Sequence, residues 1–174
     1  MISGSDLLDN SFWTDANSDG LWEHPGTGSG PTYLFDSGTL MTAARYPDTG
    51  WLRTETNTTN AEIRCSVLPQ APGYWNDGTA VVRTANWSYN IVPVQSHIST
   101  GLTFNGNVLE FLDSHKHDWG FFILGSRATD ADANGEWVFE NNIVHYRTGT
   151  QQPDDVEAVS YTHLNPPPSG CCTR

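Results

Sequence analysis

Apolar and polar residues alternate in short runs along most of this chain, and Gly, Pro, Asn and Asp cut the runs roughly every eight to twelve residues. That is all-β spacing. Alternation predicts strands over 32–35, 39–45, 62–68, 79–83, 87–92, 97–104, 108–112, 120–124, 136–140 and 143–147. The loops at Asp36-Ser37-Gly38 and Asn141-Asn142 are too short for a parallel crossover and carry residues that tolerate positive φ, so their flanking strands are expected to be antiparallel hairpins. β-Branched residues dominate 79–83 and 143–147, which suits a half-buried pleated surface. Helical spacing is confined to Leu7, Leu8 and Phe12, barely two turns. No repeat long enough to be a rung recurs, so this stretch is not itself a stacked array. The expected fold is all-β and mostly antiparallel, sandwich- or barrel-like, with helix well below about a quarter of the residues. Its expected organisation is an irregular segment over 1–31, a β-rich domain over 32–149 and a tail over 150–174.

The tail differs in kind. After Arg147 alternation stops, and a triple proline precedes the adjacent Cys171 and Cys172. A disordered segment is one reading. The other is that AVSYTHL, at 158–164, is similar to a string that translated sequencing-adaptor reads leave at the ends of metagenomic genes. On that reading the natural protein continues past about Glu157.

Charge narrows the partners. Eight Lys and Arg stand against twenty Asp and Glu, a net −12 over 174 residues, which fits one domain. Nucleic acid and anionic membrane are excluded as default partners, because both need clustered cations. At 11% aromatic the body of the chain is not of disordered composition. No apolar run is long enough to span a bilayer, and the first residues show neither the basic nor the apolar region of a signal peptide. Three cysteines cannot make a disulfide framework, and neither CxxC nor HExxH occurs.

Two acidic loops have the form that opens a calcium-binding turn: Asp15, Asn17, Asp19 with Gly20, and Asp130, Asp132, Asn134 with Gly135. Neither has a Glu at the twelfth position, where Gly26 and Asn141 stand, so ordinary Asx turns compete with calcium at both. In the first loop the carbonyl of Leu21 and the carboxylate of Glu23 are expected to complete a weak, water-filled calcium shell at best. His115 and His117 would share a face if they lay on a strand, but their surroundings read as a polar loop. Seven tryptophans (Trp13, Trp22, Trp51, Trp75, Trp87, Trp119 and Trp137) are many for this length. Each is expected first in the core, and second as a ring on which a sugar stacks.

Three stretches carry a resemblance: LMTAARYPDTGW at 40–51, TAVVRTANWSYNIVPVQSHISTGLTF at 79–104 and WGFFILGSRATDADANGEWVFENNIVHYR at 119–147. Taken in order, they resemble the N-terminal, pre-helix part of secreted bacterial right-handed parallel β-helix proteins of the pectate-lyase-like, polysaccharide-degrading type. Ala44, Arg45, Tyr46, Pro47, Gly50 and Trp51 fit one motif of that group, with Asp48 where Asn is usual. Asp132, Gly135, Glu136 and Trp137 fit another, closed by Val144, His145 and Tyr146. Leu124, Gly125 and Ser126 depart from the group's pattern, as do Phe139, Glu140 and Asn141. The resemblance implies an extracellular or periplasmic β-domain that precedes, or is inserted into, a β-helix whose rungs act on polysaccharide or oligosaccharide as a hydrolase or a lyase. No catalytic constellation is identifiable within the chain itself. Arg45, Glu136 and Trp137 are expected to be structural, with the Arg45 guanidinium paired to Glu136. A stand-alone carbohydrate-binding or adhesin-like sandwich is the competing expectation, and calcium is the only cofactor entertained.

Overall fold

The described chain is built of strands: β1 (Ser5–Leu7), β2 (Leu21–Pro25), β3 (Tyr33–Asp36), β4 (Thr39–Leu40), β5 (Thr42–Ala43), β6 (Arg45–Tyr46), β7 (Leu52–Arg53), β8 (Glu62–Arg64), β9 (Thr79–Ala85), β10 (Ser88–Pro93), β11 (Ser96–Ile98), β12 (Gly101–Thr103), β13 (Gly120–Leu124), β14 (Glu136–Glu140), β15 (Ile143–Arg147) and β16 (Val156–Val159). The computed structural model describes residues 5–26, 28, 30–111 and 116–160. Helix is limited, among these residues, to 3₁₀ turns at Asn10–Phe12 and Ala128–Asp130. Among the described residues no helix is long and apolar enough to cross a membrane.

Four sheets result, with strand orders β1-β16-β3-β4 (sheet I), β2-β15-β14-β5 (sheet II), β11-β12-β8 (sheet III) and β10-β9-β13-β6 (sheet IV, with β7 also on β13). None closes into a barrel. Every ladder is antiparallel except β14 on β5. Sheets III and IV enclose one core, with Ile63, Leu102, Phe121 and Ile123 shut from solvent. Sheets I and II enclose another around Leu34, Trp137, Val144 and Val156. The architecture is therefore sandwich-like twice over.

The expected hairpins form. Ser37 and Gly38 turn at φ 50° and 75°, Asn141 and Asn142 at 51° and 64°, the positive pair that matches the twist of the flanking strands. Four expected strands differ, and of the run 62–68 only Glu62–Arg64 is strand. The run 39–45 is divided among three sheets, with Met41 and Ala44 as joints: Met41 N–H donates to Leu34 O in sheet I, and Ala44 N–H to Trp137 O in sheet II. Each joint residue passes the backbone to a new partner, which local alternation does not encode. The run 97–104 is a hairpin, β11 to β12, whose Gly101 at φ 143° lies so close to β8 that a Cβ would sit 1.9 Å from Ile63 O. Over 108–111 no strand forms. Leu109 instead plugs the core, tied by its N–H to Asn60 O, and Leu112 lies outside the described residues.

Strands also appear where irregular chain or tail was expected. β1 lies along β16, and β16 along β3, burying Val156, Ala158 and Val159. β2 is the edge of sheet II, with His24 facing inward. Mixed polarity hid β2, and a strand of four residues within a polar stretch hid β16.

Candidate functional site

The two motifs that carry the resemblance meet in space. β5 runs parallel to β14, pairing Thr42 with Glu136 and Ala43 with Trp137, and Gly125 N–H closes on Ala44 O at 2.7 Å. Their charged residues do not meet as expected. Arg45 does not pair with Glu136. Its guanidinium lies 4.4 Å from the Phe122 ring centre, while Nε donates to Pro47 O at 3.0 Å and Nη2 donates to Gly50 O. The reason is the joint at Ala44: beyond it the chain belongs to sheet IV, and strand alternation turns Arg45 to that sheet's outer face.

Glu136 is 4% exposed and closes its own loop, Oε2 accepting from Asp132 N–H at 3.2 Å and Ala133 N–H at 3.1 Å. Asp130, also buried, accepts from Ser126 and Arg127 N–H and from the Tyr74 hydroxyl at 2.7 Å. Asp48 then arrives from the other motif, and carboxylate oxygens of Asp48, Asp132 and Glu136 lie within 4.8 Å of one another. Burial pushes the Glu136 and Asp132 carboxyls above their ordinary values, and the charge of Asp48 adds to both. Beside the trio a cleft of about 40 Å³ is lined by Arg45, Tyr46, Tyr74 and Trp75. It has room for a water or two and none for a sugar ring. Three carboxylates are half or fewer of the ligands calcium takes, and one Glu136 oxygen is already committed to amides.

The first acidic loop is a turn closed on itself. Asp15 accepts from Asp19 N–H at 3.2 Å and Gly20 N–H at 3.0 Å, and Asp19 accepts from Leu21 N–H at 3.1 Å. Asn17 is exposed, and Glu23 lies against His145 at 3.5 Å. Arg147 holds the loop from outside, its Nη1 donating to Asp19 O at 2.8 Å. His117 is exposed in a loop, and His115 lies outside the described residues. Trp137 is a core ring between sheets I and II.

A different surface collects the aromatic rings. In sheet IV the inner face carries Ala80, Val82, Phe121 and Ile123, so Val81, Arg83, Phe122, Tyr89 and Ile91 face outward. Trp87 lies in the two-residue turn that joins β9 to β10, beside the register shift between Ser88 and Tyr89. Trp87, Tyr89 and Ile91 are 79%, 60% and 68% exposed. Trp51 lies flat over Gly120, where a Cβ would meet its ring at 3.2 Å, and packs edge-on to Phe122 at 5.0 Å. Arg83 approaches the Trp119 ring at 5.8 Å. Three buried tryptophans, Trp13, Trp75 and Trp137, are core, as each ring was first expected to be; Trp51 and Trp87 are not. The signal for this face lay in the run Trp87-x-Tyr89-x-Ile91, of which Tyr89 and Ile91 fall on the solvent side of an edge strand and Trp87 in the turn before it. The signal for Asp48 was its departure from the motif's usual Asn.

Comparison with protein-family models, curated proteins and solved structures gives no match.

Proposed function

We propose that this chain is the non-catalytic β-domain of an extracellular polysaccharide-active protein of the parallel β-helix type, and that it holds polysaccharide across the outer face of sheet IV. The observation that carries this is a group of exposed rings: Tyr89, with Ile91 two residues further along β10, and Trp51 on the outer face of sheet IV, and Trp87 in the turn that joins β9 to β10. An exposed apolar row of this kind costs solubility unless something covers it. A pyranose covers it well: its C–H face stacks on a ring while its hydroxyls stay in water. A net charge of −12 speaks against nucleic acid stacking on the same rings. The non-catalytic part rests on the acidic cleft, where carboxylates closer than the separation glycosidases use flank a space too small for a glycosidic bond.

The test is retention of the purified chain on a panel of insoluble polysaccharides and its retardation in gels cast with soluble ones. Binding to at least one glycan is expected, lost in Trp87→Ala/Tyr89→Ala with unchanged circular dichroism. Absence of binding across the panel, or undiminished binding by the double variant, overturns the assignment. Release of reducing or unsaturated ends by the chain alone overturns its non-catalytic part.

A further inference from the structure

Eight Lys and Arg stand in this chain, and register sets three of them, Arg45, Arg53 and Arg83, on the outer face of sheet IV. Arg53 pairs with Gly120 and shares a face of β7 with Trp51, while Leu52 between them turns to the core. Arg83 pairs with Tyr89 on one side and falls beside Gly120 on the other. One row across the strands therefore reads Tyr89, Arg83, Gly120, Arg53, with Trp51 lying over Gly120. Rings and cations alternate along it, and two strand spacings set the backbones of Arg83 and Arg53 about 10 Å apart. On other sheets the arginines pair with carboxylates, Arg64 with Glu62 at 2.9 Å and Arg147 with Asp19 at 4.0 Å. Among the described residues Arg45, Arg53 and Arg83 make no ion pair, in a chain with twenty Asp and Glu. Neutral carbonyls hold them instead. Arg83 donates from Nε to Ala85 O at 3.1 Å and from Nη2 to Asn86 O at 3.0 Å, and Arg53 donates from Nη1 to Asp118 O at 2.9 Å. Arg45 is held in the same way by Pro47 O and Gly50 O beside the Phe122 ring. Such bonds fix each guanidinium without neutralising it, and of its five N–H groups some remain for an acceptor from outside.

We propose that the glycan held on this face is an anionic one, whose carboxylate or sulfate groups meet Arg53 and Arg83 while its sugar rings stack on Trp51 and Tyr89. This rests on the reading of sheet IV as a glycan-binding face and adds the charge of the ligand to it. Planar guanidinium forks match the paired oxygens of a carboxylate or a sulfate, and such charge-assisted bonds are the strong ones. The net charge of −12 repels an anionic polymer at a distance, but salt screens that repulsion beyond about 8–10 Å, and the contacts on the face are closer. Single-stranded nucleic acid also offers rings and anions, but its phosphates ask for a groove of cations that tracks the backbone. Three arginines on one face do not make such a groove.

The experiment is calorimetry of the full chain with matched pairs of glycans. Alginate, polygalacturonate and hyaluronan oligosaccharides are each set beside their carboxyl-reduced forms, dextran sulfate is set beside dextran, and single-stranded oligothymidylate is added. At least one acidic glycan is expected to bind about tenfold tighter than its neutral counterpart, with an affinity that falls as sodium chloride rises. The arm that shows this tells a uronate ligand from a sulfated one. Arg53→Gln, at an exposed side chain bonded only to Asp118 O, should abolish the preference for the acidic form with unchanged circular dichroism. Arg64→Gln, on sheet III, should bind as the parent does. Neutral counterparts that bind as tightly as the acidic forms, or an Arg53→Gln variant that keeps the preference, overturn the proposal and leave sheet IV a glycan-binding face. Failure of every glycan, acidic or neutral, overturns both. Oligothymidylate bound tighter than any glycan overturns the proposal in favour of nucleic acid.

Discussion

Replacing Glu136 by glutamine should flatten the dependence of stability on pH while leaving the fold intact. Glu136 and Asp132 both hold protons more tightly in the folded chain than in the unfolded one, burial being the larger cause in each and Asp48 adding to both. A group with a raised folded pKa contributes stability that is fully present below its unfolded value and is lost as pH rises through the folded one. With ordinary values of 4.5 for Glu and 3.8 for Asp, the loss starts there and runs upward toward neutrality. In Glu136→Gln the amide oxygen still accepts from Asp132 and Ala133 N–H, and its NH₂ meets the nearby Asp48 and Asp132 carboxylates as a donor. The variant should match or exceed the parent near pH ~7 and lose its advantage near pH ~4. Glu136→Ala removes the acceptor and strands two amides, a loss of about 2–4 kcal/mol near pH ~4 that narrows as pH rises, because the titrating carboxyl goes with it. Exposed carboxyls with lowered pKa, Asp9 and Glu55, tilt the curve the other way, but they are common to all three proteins and cancel in the difference. Urea unfolding followed by tryptophan fluorescence across that range reads these differences. A glutamine variant as destabilised as the alanine one, or as steeply pH-dependent as the parent, would refute the reasoning.

Asp15→Ala removes the acceptor for the Asp19 and Gly20 amides and should cost about 1–2 kcal/mol. Thermal unfolding should show the same cost with and without millimolar calcium, whereas a cost that grows in calcium would restore the calcium-loop assignment for Asp15, Asn17 and Asp19. Cys65 is 1% exposed with its thiol pushed up by burial, so in Cys171→Ser/Cys172→Ser it should react with a thiol-specific disulfide reagent only on unfolding. Reaction in native buffer at the rate of a free thiol would contradict its burial just beyond β8.

Local signals in the sequence were read correctly where one residue type decides one conformation. Ser37-Gly38 and Asn141-Asn142 announce their turns because few residues accept φ near 50° to 75°, and the strands on either side of Asn141-Asn142 have the bounds that alternation predicts. Strand 120–124 was equally legible, because both its faces are apolar or glycine. The division of 39–45 among three sheets was not, since its joints at Met41 and Ala44 are set by partners distant in the chain. The acidic trio was hidden for the same reason. Asp132 and Glu136 are neighbours in sequence, but Asp48 joins them only through the parallel pairing of β5 with β14. The expected pairing of Arg45 with Glu136 failed on a single unseen event, the change of sheet one residue before the arginine. The aromatic face was half visible: the rings were counted as a resource, but which side of β10 met solvent was decided by the core that sheet IV shares with sheet III.

Glycan binding on sheet IV is tested most directly by the indole N–H resonances of the seven tryptophans during titration with an oligosaccharide of the glycan that retains the chain. The rings of Trp51, Trp87 and Trp119 should shift together and saturate with one dissociation constant, while those of the buried Trp13, Trp75 and Trp137 stay in place. Saturable binding that leaves Trp51 and Trp87 unmoved would contradict the account.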